Sequence, residues 1–406
     1  MRHTISILVA ALVLGSAASR VSAQSCGAWE VVPSPNPPAA QNAIIRDMTS
    51  ISTDDVWAVG DWWGTVNGVV QNFAMTMHWD GTTWSLVRTP QPAPCADCRN
   101  LALYGVDALG PNDVWAAGGQ TKQAPDGFVG THILVMHWNG SAWRVMKTPA
   151  QSGASGDLIW RVTALAPNDV WFFGENIYSP QRRLGLAIAM HWDGSRFEFT
   201  RVPIVNFVGS GSTSNNSLHA GSALSPDDIW AVGAGGDGDP LVCSLSQIHH
   251  WNGQTWTHVP SQPPNDCAWH SLYAVEAVAP NDVWAGGETF DGDYHGLSLH
   301  WRGSTWVEEP TPIGIADFVS FAPDDVYAFG GGVAHWDGQA WTLVEAFPEV
   351  EGPSLTGADA NASCDVWAGG RQLVGDKLRT LTVRMTPGAS ATQTTMASEV
   401  RPTTAP

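Results

Sequence analysis

Residues 101–149 contain the pattern that decides the fold: LALYGVDAL, a GPND turn, VWAAGG, a variable stretch, HILVMHW, an NGS turn and AWRVMKTP. Each apolar run is rich in β-branched, aromatic and aliphatic residues and is bounded by Gly, Asn, Asp or Pro, which is typical of strands joined by tight turns. No segment of the chain sustains the apolar spacing of a helix. The stretch is therefore predicted to form four antiparallel strands.

The central phrase of this unit, an aspartate, an aliphatic residue, an aromatic residue and then a glycine, returns along the whole chain. It begins at Asp55, Asp113, Asp169, Asp228, Asp282, Asp325 and Asp365. Repetition at a period near 50 residues indicates a repeat architecture. A His-Trp pair followed by a glycine turn also recurs, beginning at His78, His137, His191, His250, His300 and His335. Repeated four-stranded units of this kind predict the blades of a β-propeller.

The seventh copy has a third strand but no fourth strand after it. The missing piece lies at the other end of the chain, where residues 26–33 (CGAWEVVP) match the fourth-strand pattern AWRVMKTP. An N-terminal strand that completes the last blade would leave no unpaired edge in the ring. The sequence thus predicts an all-β, seven-bladed propeller of four-stranded antiparallel blades over residues 24–386, closed by its N-terminal strand.

Glycine pairs after the second strand give the repeat a family resemblance; they stand at Gly118-Gly119, Gly286-Gly287, Gly330-Gly331 and Gly369-Gly370. With the aromatic residues that follow, the chain resembles kelch-type propellers of the galactose oxidase-like superfamily. The hairpin WDGTTW, residues 79–84, also resembles the Asp-box of sialidase-type propellers. The first resemblance implies a copper radical oxidase as one activity, but we find no Tyr and Cys pair with His ligands to support it.

The two ends of the chain read differently from the repeats. Residues 1–23 have the charged start, apolar run and small-residue cleavage site of a secretory signal. We therefore expect a secreted protein, extracellular or periplasmic, with no transmembrane segment. Residues 387–406, rich in Thr, Ala, Ser and Pro, are expected to form an unstructured tail.

Six cysteines in an exported chain predict disulfides. The expected pairs are Cys26–Cys364, Cys95–Cys98 and Cys243–Cys267. The net charge of −19 opposes binding to nucleic acid, which needs clustered cationic side chains. We expect a monomer whose partner is a glycan or a protein.

The repeated residues are predicted to be structural. Of 22 tryptophans, those at the three repeated aromatic positions should pack between blades. Each repeated histidine should form a hydrogen bond within its own blade. Each repeated aspartate, which stands at a turn, is expected to accept local backbone N–H bonds.

The exceptions to the repeat are the candidate ligand contacts. Strand direction places the connections between second and third strands, and those between successive blades, on one face of the ring, here called the long-loop face. Aromatic residues outside the repeat pattern on that face can stack on sugar rings or apolar groups. The starts of the innermost strands place five residues at the mouth of the central channel: Arg46, Tyr104, Trp160, His219 and Tyr273. The candidates are Trp62, Trp63, Tyr104, Trp160, His219, Trp269, Tyr273 and Tyr294.

Two further features concern this face. Carboxylates in neighbouring loops, Asp237 and Asp239, then Asp291 and Asp293, are either Ca²⁺ ligands or solvated turns. The loop from Gly330 to His335 is much shorter than its counterparts in blades one to five. We therefore expect a groove that is open toward blade six and admits a chain-like ligand.

Three functions fit these features. The first is a secreted, non-catalytic recognition module that binds glycan or protein through the long-loop face. The second is a polysaccharide lyase or glycosidase that uses carboxylates of the same face, among them Asp61. The third is a structural envelope or cell-surface protein. Propellers host binding and catalysis alike, so the fold does not choose between them.

Overall fold

The computed structural model describes residues 26–66, 68–90, 101–123, 129–149, 156–177, 185–205, 215–236, 245–261, 269–344, 347, 349–362 and 364–387. Every regular element in these ranges is a β-strand, as the sequence predicts. None of the described residues belongs to a helix that could cross a membrane.

Seven blades follow one another along the chain, and each contains four strands numbered from the channel outward. Blade one contains β2 (Ala40–Ser52), β3 (Asp55–Val66), β4 (Val69–Trp79) and β5 (Trp84–Val87). Blade two contains β6 (Leu101–Gly110), β7 (Asp113–Gln123), β8 (Val129–Trp138) and β9 (Trp143–Val145). Blade three contains β10 (Gly156–Ala166), β11 (Asp169–Ile177), β12 (Leu186–Trp192) and β13 (Phe197–Thr200). Blade four contains a divided first strand, β14 (Asn215–Asn216) and β15 (Ala220–Ser225), then β16 (Asp228–Gly236), β17 (Leu245–Trp251), β18 (Trp256–His258).

The remaining blades complete the ring. Blades five and six contain β19 (Trp269–Ala279), β20 (Asp282–Phe290), β21 (Tyr294–Trp301), β22 (Trp306–Glu308); β23 (Ile315–Ala322), β24 (Asp325–Gly330), β25 (Val333–Trp336), β26 (Trp341–Val344). Blade seven contains β27 (Ser354–Ala362), β28 (Asp365–Val374), β29 (Lys377–Pro387) and the N-terminal β1 (Cys26–Val32).

Closure by the N-terminal strand is confirmed. Strand β1 pairs antiparallel with β29, so the sheet order of blade seven is β27-β28-β29-β1. The disulfide Cys26–Cys364 joins β1 to the turn before β28, with the two Cα atoms 4.9 Å apart. The first and last parts of the ring are therefore linked by both backbone pairing and a covalent bond.

Tryptophans hold neighbouring blades together, as predicted. The ring of Trp57 in blade one lies 4.9 Å from Trp138 and 5.3 Å from Trp143 of blade two, centroid to centroid. The same contact closes the circle, because Trp367 of blade seven lies 4.9 Å from Trp79 of blade one. Tilted and edge-to-face rings of this kind add to the stabilisation that burial alone provides.

The repeated histidines bond within their own blades, and their partners are the repeated aspartates. Nε2 of the imidazole lies 2.7–2.8 Å from Oδ1 of the aspartate in blades one to six. The aspartates were expected to accept hydrogen bonds from local backbone N–H groups, but their main partner is the histidine of the same blade. In blade seven Arg384 replaces the histidine; its Nε lies 2.9 Å from Asp365, and its guanidinium covers Trp367.

Candidate functional site

A β-bulge shapes the innermost strand of the blades at the long-loop face. The register skips one residue at the same position in six blades, for example between Ile45 and Asp47 in β2. In blade four the strand is interrupted there instead, between β14 and β15. Bulges redirect a side chain, and the seven side chains at this position all line the channel mouth. They are Arg46, Tyr104, Trp160, His219, Tyr273, Ala316 and Thr356.

These seven residues surround a cavity of about 560 Å³. Its size falls within the range of about 300–1,000 Å³ that is usual for small-molecule sites. The structure thus brings together the five residues that the sequence placed at the channel mouth. Small residues of blade six complete the lining, together with side chains from blades five and seven.

An aromatic wall runs from blade two to blade five. The ring centroids of Tyr104 and Trp160 are 4.7 Å apart, and those of Trp160 and His219 are 5.9 Å apart. His219 in turn stacks on Tyr273 at 5.5 Å with an interplanar angle of 21°. The guanidinium of Arg46 lies 5.5 Å from the centre of the Tyr104 ring, which extends the wall to blade one.

His219 is fixed as a neutral part of this wall. Its Nδ1 lies 2.8 Å from the carbonyl oxygen of Leu272, so this nitrogen carries the proton and donates. Its Nε2 lies 2.9 Å from the Ser217 hydroxyl, which also lies 3.1 Å from the carbonyl oxygen of Ala234 and can donate to either atom. Burial lowers the pKa of His219 to about 4. At neutral pH the ring is therefore uncharged and both its nitrogens are engaged.

A second ring of positions follows the repeated glycine of each second strand, and only one of its residues, Asp61, is among those predicted from the sequence. The occupants are Asp61, Gly119, Glu175, Ala234, Glu288, Gly331 and Arg371. The sequence contains a sign of this ring: the position after the repeated glycine is charged in four blades and is Gly or Ala in the other three. Asp61 pairs with Arg46 at 2.7 Å. Burial raises the pKa of Glu175 and of Glu288.

Arg161 forms the floor of the cavity. This residue of blade three pairs with Asp47 of blade one and with Asp317 of blade six, the latter at 3.0 Å. The same guanidinium donates to the carbonyl oxygens of Ala316 and Thr356, each at 3.3 Å. Only 13% of the Arg161 side chain is exposed, and its contacts with blades one, six and seven cross the channel, so Arg161 forms the blind end of a cup.

Below the floor, half-buried carboxylates join three pairs of neighbouring blades. Asp107 accepts a 2.8 Å bond from the backbone N–H of Ala164, and Asp359 accepts a 2.7 Å bond from that of Ser50. Glu276 accepts from the hydroxyl of Ser320 at 2.5 Å. Burial raises the pKa of Asp107 and Glu276 to about 7 and that of Asp359 to about 6. These groups are structural connections that favour the protonated state.

The Glu276→Gln variant tests this interpretation. A carboxyl whose folded-state pKa is raised stabilises the fold fully below about pH 4.5 and loses that contribution as the pH rises toward 7. Glutamine cannot ionise. The free energy of unfolding of the variant, relative to that of the wild type, should therefore rise by about 1–3 kcal/mol between pH 5 and pH 8. The width of the range reflects the partial exposure of the Glu276 carboxyl, which weakens the effect of burial.

Urea denaturation at the two pH values measures this difference. His219, whose lowered pKa acts in the opposite direction, is the same in both proteins and cancels. If the free energies of unfolding of the wild type and of Glu276→Gln change in parallel with pH, the pKa of Glu276 is not raised by folding.

The other predicted contacts do not line the cavity. Trp62 stacks on Phe73 with centroids 4.3 Å apart, and Trp63, its neighbour in β3, is 45% exposed. Trp269 pairs with Phe290 across β19 and β20, and Tyr294, 69% exposed, begins the next strand. These four residues lie at the long-loop ends of their strands, outside the lining of the cavity, and are called the rim.

The remaining predictions fall partly outside the described residues. Asp291 and Asp293 are exposed at the β20–β21 turn, where Asp291 lies 3.2 Å from His295. In the described part of the chain no three His, Cys, Asp or Glu side chains are grouped closely enough to hold a metal ion. The positions outside the described residues are Asp237, Asp239, Cys95, Cys98, Cys243, Cys267 and the two terminal segments, 1–25 and 388–406.

Comparisons with known proteins support the fold. No family model and no curated protein matches this chain. Among solved structures, YCF48 from Cyanidioschyzon merolae is similar, with a TM-score of 0.52 and 15% identity over 89% of this chain and 99% of that one. The polysaccharide lyase Uly1 is similar with a TM-score of 0.52 and 9% identity, over 88% and 92% of the two chains. At these identities the similarity shows the β-propeller fold alone, and the kelch resemblance remains a prediction.

Proposed function

We propose that this chain is an exported, non-catalytic recognition propeller that binds a glycan chain in the cavity at the channel mouth. The observation that carries the proposal is the aromatic wall of Tyr104, Trp160, His219 and Tyr273 in one blind cup. The predicted signal and the disulfide Cys26–Cys364 support export, since disulfides persist in oxidising compartments.

The chemistry of the cup suits a sugar. A pyranose has apolar faces, which pack on aromatic rings, and hydroxyl groups, which need hydrogen-bond partners at its edges. Here the wall provides the rings, Glu288 provides an acceptor on blade five beside Tyr273, and Arg371 provides a donor on blade seven. Aromatic surface combined with a few placed polar groups is typical of a site that fixes a ligand's orientation.

An enzyme that acts on polysaccharides is the second candidate, and one observation favours it. Glu288 lies in the cup near Tyr273, and burial raises the pKa of both groups. A glycosidase, however, needs two carboxylates across the sugar. Among the described residues that line the cavity only Glu288 has one, and Asp61 is paired with Arg46. We therefore favour binding without catalysis.

The test is a glycan array followed by calorimetric titration of each sugar that binds, with chromatography of the sugar afterwards. Trp160→Ala should weaken binding at least tenfold, which corresponds to about 1.4 kcal/mol. The control, Trp63→Ala, removes an exposed tryptophan outside the cavity and should leave affinity within about twofold. Melting temperatures of both variants show whether they are folded.

Two results would overturn the proposal. Absence of binding by the wild type to every glycan would exclude the recognition function. Cleavage products that accumulate with the wild type, and not with Glu288→Gln, would replace it by the enzyme alternative. Equal loss of affinity in Trp160→Ala and Trp63→Ala would move the site from the cup to its rim.

A further inference from the structure

The wall of the cup has a gap at blade six. Strand β24 ends at Gly330 and β25 begins at Val333, so only two residues join them. A Cβ atom added at Gly331 would meet no atom within 4 Å, which shows open space beside the backbone. Blade six also contributes Gly314, Ile315 and Ala316 to the lining, and the Ile315 side chain is only 1% exposed because it packs in the core of the ring. A ligand longer than the cup can leave it here.

Oppositely charged residues flank the gap. Glu288 stands on blade five and Arg371 on blade seven, at the same position after the repeated glycine in their strands. The Glu288 carboxylate packs over Gly314, where an added Cβ would come within 2.5 Å of its Oε1. A side chain at position 314 would displace this carboxylate. The absence of a side chain at Gly314 therefore leaves room for the Glu288 carboxylate in the cup.

Arg371 differs from the other arginines near the channel. Arg46 is paired with Asp61, and Arg161 is paired with two aspartates. Arg371 is half-buried in the cavity lining, yet its guanidinium forms no hydrogen bond or ion pair with any other described residue. A guanidinium in the cavity lining that has no anionic partner among the described residues can bind an anionic group of a ligand. Guanidinium binds carboxylate in a bidentate geometry.

We infer that the ligand is a carboxylated sugar chain, with a uronic acid unit in the cup and its carboxylate on Arg371. This inference rests on the proposed glycan-binding function and names the class of glycan. The sugar face packs on the aromatic wall, Glu288 accepts hydroxyl hydrogens, and the chain continues over Gly331. The net charge of −19 repels polyanions in general, so one arginine within a shaped cup must provide the attraction.

Calorimetric titration with hexameric oligogalacturonate and with its fully methyl-esterified form tests the carboxylate contact. The ester keeps the shape of the chain and removes its charge. Arg371→Gln should weaken binding of the acid about 10- to 100-fold, as expected for a hydrogen bond to a charged group, and should weaken binding of the uncharged ester at least fivefold less. Arg144→Gln, which removes an exposed arginine on β9, is the matched control and should change neither.

A second variant tests the exit over blade six. Gly331 lacks the positive φ that would forbid a side chain, so Gly331→Leu should fold normally. Because Gly331 also lines the cup, the informative quantity is the ratio of the two affinities: binding of the hexamer should weaken at least fivefold more than binding of monomeric galacturonate. Loss of both ligands to the same degree would show that the chain does not pass through the gap.

The outcomes separate this inference from the proposed function. Binding of neutral or sulfated glycans in preference to the uronate, or wild-type affinity of Arg371→Gln for the acid hexamer, would overturn the carboxylate contact and leave glycan recognition intact. If no glycan of any charge binds, the proposed function fails and the inference fails with it. Tight acid binding that Arg371→Gln abolishes supports both.

Discussion

Replacing Arg161 by methionine should lower the free energy of unfolding by about 3–5 kcal/mol at pH 8, the cost usual for removing one partner of a buried ion pair. Methionine fills similar volume but leaves Asp47 and Asp317 without their cation. Burial already raises the pKa of both carboxyls, that of Asp47 to about 6. At pH 5 they can take up protons instead, so the loss should be markedly smaller there. Urea denaturation at the two pH values measures both effects.

A triple variant separates charge from packing. Adding Asp47→Asn and Asp317→Asn to Arg161→Met makes the cluster neutral, and most of the lost stability should return because uncharged groups need no counter-ion. If the triple variant is as unstable as Arg161→Met at pH 8, the hydrogen bonds to Ala316 and Thr356, and not the charges, hold the floor. A loss below 1 kcal/mol in Arg161→Met would contradict the structural role altogether.

Breaking the closing disulfide by Cys26→Ser should cost about 3–5 kcal/mol of stability. The bridge joins residues 338 apart in sequence, and a crosslink that closes so long a loop strongly restricts the unfolded chain. It also ties down β1, whose Trp29 packs against Phe329 at 5.7 Å and Phe347 at 6.3 Å. Denaturant titration of the oxidised wild type and the variant measures the loss.

The partner cysteine provides the control. Cys364 has a φ of 66°, in the left-handed region where asparagine is tolerated better than most residues. Cys26→Ser/Cys364→Asn should therefore be no less stable than Cys26→Ser. If Cys26→Ser changes stability by less than 0.5 kcal/mol, backbone pairing of β1 with β29 holds the ring closed without help from the bridge.

Local repetition explains what could be predicted. Each blade is specified by the same short pattern, so the number of blades, the closing strand and the packing of Trp57 on its neighbours all follow from comparing copies. The same comparison placed Tyr104 and Trp160 at the channel mouth, since equivalent positions lie at equivalent heights in a ring. Deviations from the repeat, such as Arg384 in place of histidine, are visible in the sequence, but their partners are not.

The sequence by itself determined a closed ring of seven blades and one irregular face, because every blade obeys the same alternation of strands and turns. Only the tertiary structure decided what meets on the axis. Arg161 and Asp317 are 156 residues apart, and no local pattern indicates that they touch. The ring brings them together because each innermost strand faces the channel, so residues of distant blades become neighbours across it. The blind cup, the gap at Gly331 and the place of Arg371 beside it arise from that convergence.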